Sequence, residues 1–88
     1  MKINYHSNFV KHFKKRIENN PKLVQKYKER VLLFESNRLN PVLKDHGLTG
    51  ARIGQRAFGI AGDTRVIYIP VSSVEVIFVD VGSHNQVY

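Results

Sequence analysis

Apolar positions in the first forty residues recur with the period of a helix. Phe9, Val10, Phe13 and Ile17 fall one turn apart, with Lys11, Lys14, Lys15 and Glu18 on the other side, which predicts an amphipathic helix from about Asn8 to Asn19. Ser7 stands before it as an N-cap oxygen. Asn20-Pro21 predicts a break and an immediate restart, because proline suits the first helical position and asparagine caps it. Leu23, Val24, Tyr27, Val31 and Phe34 then repeat the stripe. Helices joined by so tight a link lie roughly antiparallel. Upstream, Ile3 and Tyr5 alternate with Lys2 and Asn4, the pattern of a short, half-buried strand.

Beyond Asn40 the period changes. Residues 41–54 show none; three glycines with Lys44, His46 and Arg52 among them predict a loop carrying ligand-binding chemistry. Gln55 to Ala61 and Thr64 to Pro70 are β-branched and aromatic-rich runs around Gly62-Asp63, a hairpin signal, and Val74 to Val81 is a third run after the Ser72-Ser73 turn. Pro70 lacks a donor for a sheet ladder and belongs at a strand end. The order strand, two helices, three strands predicts a single α+β domain over residues 1–88. Its two layers are an antiparallel three-stranded C-terminal meander with the N-terminal strand, and a helical hairpin packed on one sheet face. A two-residue hairpin loop sets Arg65 opposite Ile60, and a three-residue loop sets it opposite Ala61. The second is preferred, because it groups Phe58, Ile60, Val66 and Tyr68 beneath the helices and leaves Arg65 with Gly59 on the open face.

Charge divides the chain in the same place. Residues 1–40 carry ten Lys and Arg against three Glu, whereas residues 41–88 carry four cations and four anions. The net charge of +7 therefore belongs to the helical half and suggests an anionic partner, either nucleic acid or an acidic protein segment. With no cysteine, thiolate catalysis and disulfides are excluded. No apolar run approaches the ~20 residues of a membrane helix, and residues 1–6 lack the apolar core of a signal peptide, so a soluble, cytoplasmic protein is expected. The histidines show no metal-ligand spacing and no glycine-rich nucleotide motif occurs, so neither metal nor cofactor is expected. His6 and His12 read as surface residues.

The run Arg56-Ala57-Phe58-Gly59-Ile60-Ala61-Gly62-Asp63-Thr64-Arg65-Val66-Ile67-Tyr68 and the ending Val76 to Tyr88, with Asp45-His46-Gly47-Leu48-Thr49-Gly50 upstream, resemble the RelE/ParE superfamily of toxins from type II toxin-antitoxin systems. The ending with glycine, His84 and a terminal aromatic is most similar to the YafQ-type branch. The resemblance covers nearly the whole chain. It implies a RelE-like fold and a ribosome-dependent endoribonuclease that cleaves mRNA in the ribosomal A site. It also implies a cognate antitoxin, here an acidic and partly disordered segment, in a hetero-oligomer with the toxin.

Residue by residue, the resemblance implies that His84 is the main catalytic histidine, His46 a second histidine and Asp63 an acidic group at the hairpin tip. Arg65 would meet the scissile phosphate and Tyr88 a base, with Arg56, Arg52 and Lys44 as further RNA-binding cations. Gly59 departs from the pattern, since such toxins carry a cation or histidine there. The residue chemistry is suitable in itself: metal-free RNA cleavage needs a base for the 2′-hydroxyl, an acid for the leaving 5′-oxygen and a cation for the phosphorane. Other readings compete. Asp63 after Gly62 is more often a turn former than a catalyst, His84 could be a solvated loop residue and His46 a turn cap, Arg65 could pair with Asp63 or Asp80, and Tyr88 could merely close the core. A gyrase-poisoning toxin and a catalytically degenerate antitoxin-binding module are the alternative functions.

Overall fold

The computed structural model describes residues 1–88. Lys2–Tyr5 forms strand β1, Ser7–Arg16 helix α1 and Pro21–Ser36 helix α2. The cap of α1 differs from expectation: His6, not Ser7, occupies it, its Nδ1 accepting the Asn8 amide at 3.0 Å. The reason lies in the sheet. The His6 amide still donates to the Phe78 carbonyl at 2.9 Å, so the strand runs into the helix with no spacer residue. At its other end α1 stops at Arg16, short of Asn19, because Asn20 must be extended (φ −114°) to cap α2 before Pro21. The Asn20 side chain accepts the Leu23 amide at 3.2 Å, the cap expected of it.

Residues 41–54 are more ordered than their lack of period suggests. They hold a 3-10 turn over Pro41–Leu43, strand β2 over His46–Gly47 and a second 3-10 turn over Gly50–Arg52. Three further strands follow, β3 (Arg56–Ala61), β4 (Thr64–Ser72) and β5 (Glu75–Gly82), and the chain ends in a one-turn helix, α3 (His84–Val87). The sheet has five strands in the order β1-β5-β4-β3-β2, antiparallel except that β1 runs parallel to β5.

The hairpin follows neither simple register. Gly62 and Asp63 alone form the loop, with Ala61 opposite Thr64, while an irregularity between Gly59 and Ala61 leaves Ile60 without a partner and sets Arg65 opposite Gly59. Gly62 adopts φ +54°, which lets a two-residue loop close, and the bulge restores the inward orientation of Ile60. The face assignment holds as expected. Phe58, Ile60, Val66 and Tyr68 are fully buried with Phe9, Ile17, Phe34 and Phe78 beneath the helices. Phe34 stacks on Phe58 at 4.5 Å and meets Tyr68 edge-on at 4.9 Å, so one aromatic of α2 anchors the helical layer to two strands. Val10 lies outside the buried stripe and is exposed.

A second, smaller cluster sits on the opposite sheet face, where Val87 of α3 packs against Ala57 and Ile67. That face is therefore only partly open. No helix is long and apolar enough to cross a membrane.

Candidate active site

Directly opposed residues of antiparallel strands share a face. His46, Ala57, Ile67 and Asp80 form one such row across β2 to β5, and Gly59, Arg65 and Gly82 form the next. The rows are two residues apart along β4, roughly 7 Å. In the second row Arg65 is flanked by glycine on both neighbouring strands, so neither strand sets a side chain beside this cation. Its Nε is buried and has no hydrogen-bond partner. The guanidinium carbon lies 6.0 Å from the centre of the Tyr88 ring, at the limit of a cation–π contact. His84 meets the same ring edge-on at 4.4 Å. His84 and Tyr88 are four residues apart on one helical turn, which puts them side by side.

The turn that carries them is too short to be stable by itself. Three contacts hold it. Ser83 and Gln86 close a capping box, the Ser83 amide donating to Gln86 Oε1 at 2.8 Å. Val87 is buried. At the other end Arg52 Nε donates to the Val87 carbonyl at 2.7 Å, setting a cation against the negative end of the helix.

Beside α3 a groove of about 800 Å³ is lined by His46, Arg52, Gln55, His84 and Tyr88, among others. His46 is exposed there, and its Nδ1 lies 2.9 Å from the Lys44 carbonyl. A carbonyl only accepts, so Nδ1 carries the proton and a neutral His46 presents a bare Nε2.

The structure thus brings Arg65, His84 and Tyr88 together; His84 and Tyr88 line the groove with His46, and Arg65 reaches its margin only through the Tyr88 ring. The other residues singled out in the sequence are placed differently. Asp63 is exposed at the hairpin tip and does not line the groove. Arg56 Nε pairs with Asp45 at 2.7 Å. Arg52 is bound internally at three points, adding Gln55 Oε1 at 2.8 Å and Asp80 Oδ2 at 3.2 Å to the Val87 carbonyl. Lys44 is exposed and left-handed at φ +52°, and its backbone carbonyl, not its ammonium, meets a site residue.

Two carboxylates organise this surroundings. Asp45 accepts from Arg56 and from the Tyr68 hydroxyl, and fastens the start of β2 to β3 and β4. Burial first, and Asp45 second, push the Tyr68 hydroxyl far above its ordinary pKa. The hydrogen bond to Asp45 raises Arg56 as well. Asp80, 7% exposed, accepts from His12 at 2.6 Å, Arg16 at 3.4 Å, Arg52 at 3.2 Å and the Val81 amide at 2.8 Å. His12 is accordingly half-buried and paired rather than a surface residue. The sequence did hold a signal for Asp80: it is the one charge inside the apolar run Val76 to Val81. No three His, Asp or Glu side chains are grouped so as to hold a metal ion.

Comparison with known proteins bears on the family and the fold. The family model for YafQ, a bacterial toxin of type II toxin-antitoxin systems, matches residues 1–88. No curated protein matches. Among solved structures the fold is similar to YafQ from E. coli strain BL21(DE3), at 25% identity and a TM-score of 0.76, covering 99% of this chain and 97% of that one. The E. coli DinJ-YafQ toxin-antitoxin complex is similar at 26% identity and 0.73, covering 99% and 96%. A metal-bound toxin from Helicobacter pylori follows at 26% and 0.75, covering 100% and 99%. With the family model spanning the whole chain, this protein belongs to the YafQ family of toxins of type II toxin-antitoxin systems.

Proposed function

We propose that this toxin is an endoribonuclease that cleaves mRNA in the ribosomal A site, and that its own residues carry the reaction without a metal. The observation that carries the reading is Arg65. Arg52 and Arg56 are tied to carboxylates, whereas Arg65 has a buried, unpartnered Nε and a guanidinium 6.0 Å from the Tyr88 ring that His84 also meets. A buried guanidinium donor without an acceptor suits an anionic ligand, and its planar fork matches two phosphate oxygens.

In this reading Arg65 neutralises the charge that builds on the phosphorane, and Tyr88 stacks on a base. His46, with its proton held on Nδ1 by Lys44, takes the 2′-hydroxyl proton through Nε2, so the 2′-oxygen attacks phosphorus. His84 gives a proton to the leaving 5′-oxygen, and a 2′,3′-cyclic phosphate results. All roles are filled from the chain, which is the ground for metal independence. Gly59 does not remove the cation from the site in this arrangement, because Arg65 stands directly opposite it. Asp63 has no part in the chemistry. Lys44 supplies solvent-facing charge for RNA.

E. coli YafQ forms a complex with DinJ. For this chain the matching partner is an antitoxin whose acidic segment, disordered when free, orders on the basic helical half.

The test is mRNA cleavage in a purified translation reaction, mapped by primer extension, with and without a chelator. Wild type should cleave in both, and His84→Ala and Arg65→Ala should each lose at least ~10²-fold. Undiminished cleavage by His84→Ala would remove its role. Intact mRNA with gyrase-dependent DNA breaks would favour a gyrase poison, and neither effect would favour a binding module.

A further inference from the structure

His84 opens helix α3 and Tyr88 caps its end, yet the helix has only one turn, so whatever holds it decides where His84 and Tyr88 point. Of the holding contacts, the one made by Arg52 leads to Asp80. Its Oδ2 takes one nitrogen of Arg52, whose Nε holds the Val87 carbonyl at the C-terminal end of α3. Its Oδ1 takes His12 and Arg16 from α1. Arg16 also donates to the Val81 carbonyl at 3.0 Å, where β5 has passed the end of its pairing with β1 at Phe78. The N-terminal end of α3 lies on the same cluster: a Cβ on Gly82 would fall 2.6 Å from Gln86 Oε1 and 2.9 Å from an Arg16 nitrogen, so the capping glutamine and Arg16 are neighbours over that glycine. The C-terminal end of α3 is thus clamped by a cation held on one buried carboxylate, and its N-terminal capping glutamine lies over the glycine that a second cation on the same carboxylate also covers. A guanidinium is a rigid plane, so fixing Arg52 at Asp80 and Gln55 fixes the direction of its Nε–H toward Val87.

We infer that Asp80 is a positioning residue. It touches neither substrate nor the reacting atoms and acts through Arg52 and Arg16 to set the pose of His84 and Tyr88 against Arg65. Without the carboxylate, two arginines and a histidine face one another in a partly buried space, Arg52 loses one of its three anchors, and α3 loosens. The consequence for turnover rests on the proposed ribonuclease activity; the consequence for α3 does not.

The experiment therefore has two arms on the full-length chain. Hydrogen exchange of the α3 amides, which donate to Ser83 and His84 carbonyls, is compared in wild type and Asp80→Asn. Exchange at Gln86, Val87 and Tyr88 should accelerate at least ~10-fold while β4 amides keep their protection. Cleavage should lose on the order of 10²-fold in kcat with KM little changed, since misplacement by ~1 Å is enough for that. In a background that lacks both positioned groups, His84→Ala with Tyr88→Ala, the same substitution should cost almost nothing further, because its route to the chemistry is gone. Unchanged α3 exchange overturns the inference, as does an equal loss in both backgrounds, which marks general unfolding. Faster exchange with a wild type that cleaves no RNA leaves Asp80 as the clamp and refutes the ribonuclease reading instead. If Asp80→Asn fails to fold, Arg52→Lys, which keeps the charge but not the fork, must show the same pattern.

Discussion

Replacing Gly82 with alanine sets two effects of opposite sign against each other. Gly82 lies in β5 with an ordinary strand backbone, not at positive φ, so the general expectation for glycine to alanine is a gain of ~0.4–1 kcal/mol from a less flexible unfolded chain. The added Cβ, however, would sit 2.6 Å from Gln86 Oε1, 2.9 Å from Arg16 Nη1 and 3.1 Å from Arg16 Cδ. Backbone is not in the way, so the two side chains yield. Gln86 then leaves the Ser83 amide, at ~1 kcal/mol for a helix cap. Arg16 leaves the Val81 carbonyl, at ~1.5–3 kcal/mol for a hydrogen bond from a charged group. The losses exceed the gain, for a net destabilisation of ~2 kcal/mol. In a domain of this size that lowers Tm by ~10 °C. Urea unfolding followed by circular dichroism, with m unchanged, measures it directly. A variant as stable as wild type, or more so, would refute the reasoning, because it would mean that neither contact holds α3.

Three further outcomes can be checked. Asp45→Ala should destabilise by ~1–3 kcal/mol, because it strands the buried Tyr68 hydroxyl, and Arg56→Ala should cost at least as much, because the Asp45 side chain, 2% exposed, is then a buried carboxylate without its cation; an Arg56→Ala loss well below that of Asp45→Ala in urea would contradict this. Tyr68 has its pKa raised by folding, so its contribution is fully present below the unfolded value of ~10 and is lost as pH rises from there toward the folded value, at about 1.4 kcal/mol per pH unit. Tyr27 is raised too, mainly by burial, so Tyr68→Phe should reduce the alkaline slope of stability between pH 9 and 11 without abolishing it. Arg65→Lys keeps the charge but not the planar fork and should cleave ~10²-fold more slowly with an unchanged Tm; full activity would show that charge alone suffices.

What the sequence determined by itself is the set of elements whose signal is local. Pro21 after Asn20 specifies a helix start wherever it occurs, and the apolar stripes of both helices and the runs around Gly62-Asp63 each declare their own period. The residues that could do the chemistry were legible for the same reason, since Arg65 interrupts an apolar strand and His84 and Tyr88 follow one at helical spacing. Only the tertiary structure decided which of them meet. β2 is two residues long and exists through its pairing with β3, so no pattern in residues 41–54 could announce it. The bulge at Ile60 sets Arg65 opposite Gly59, a choice made by core burial on the far face rather than by the turn. Asp80 gathers partners from positions 12, 16 and 52, which sequence separation hides. Arg52, Arg56 and Arg65 look alike in the chain; two found carboxylates on folding and one did not. A cation's availability depends on which charges the fold brings within a few ångströms of it, and that distance is a property of the packed chain alone.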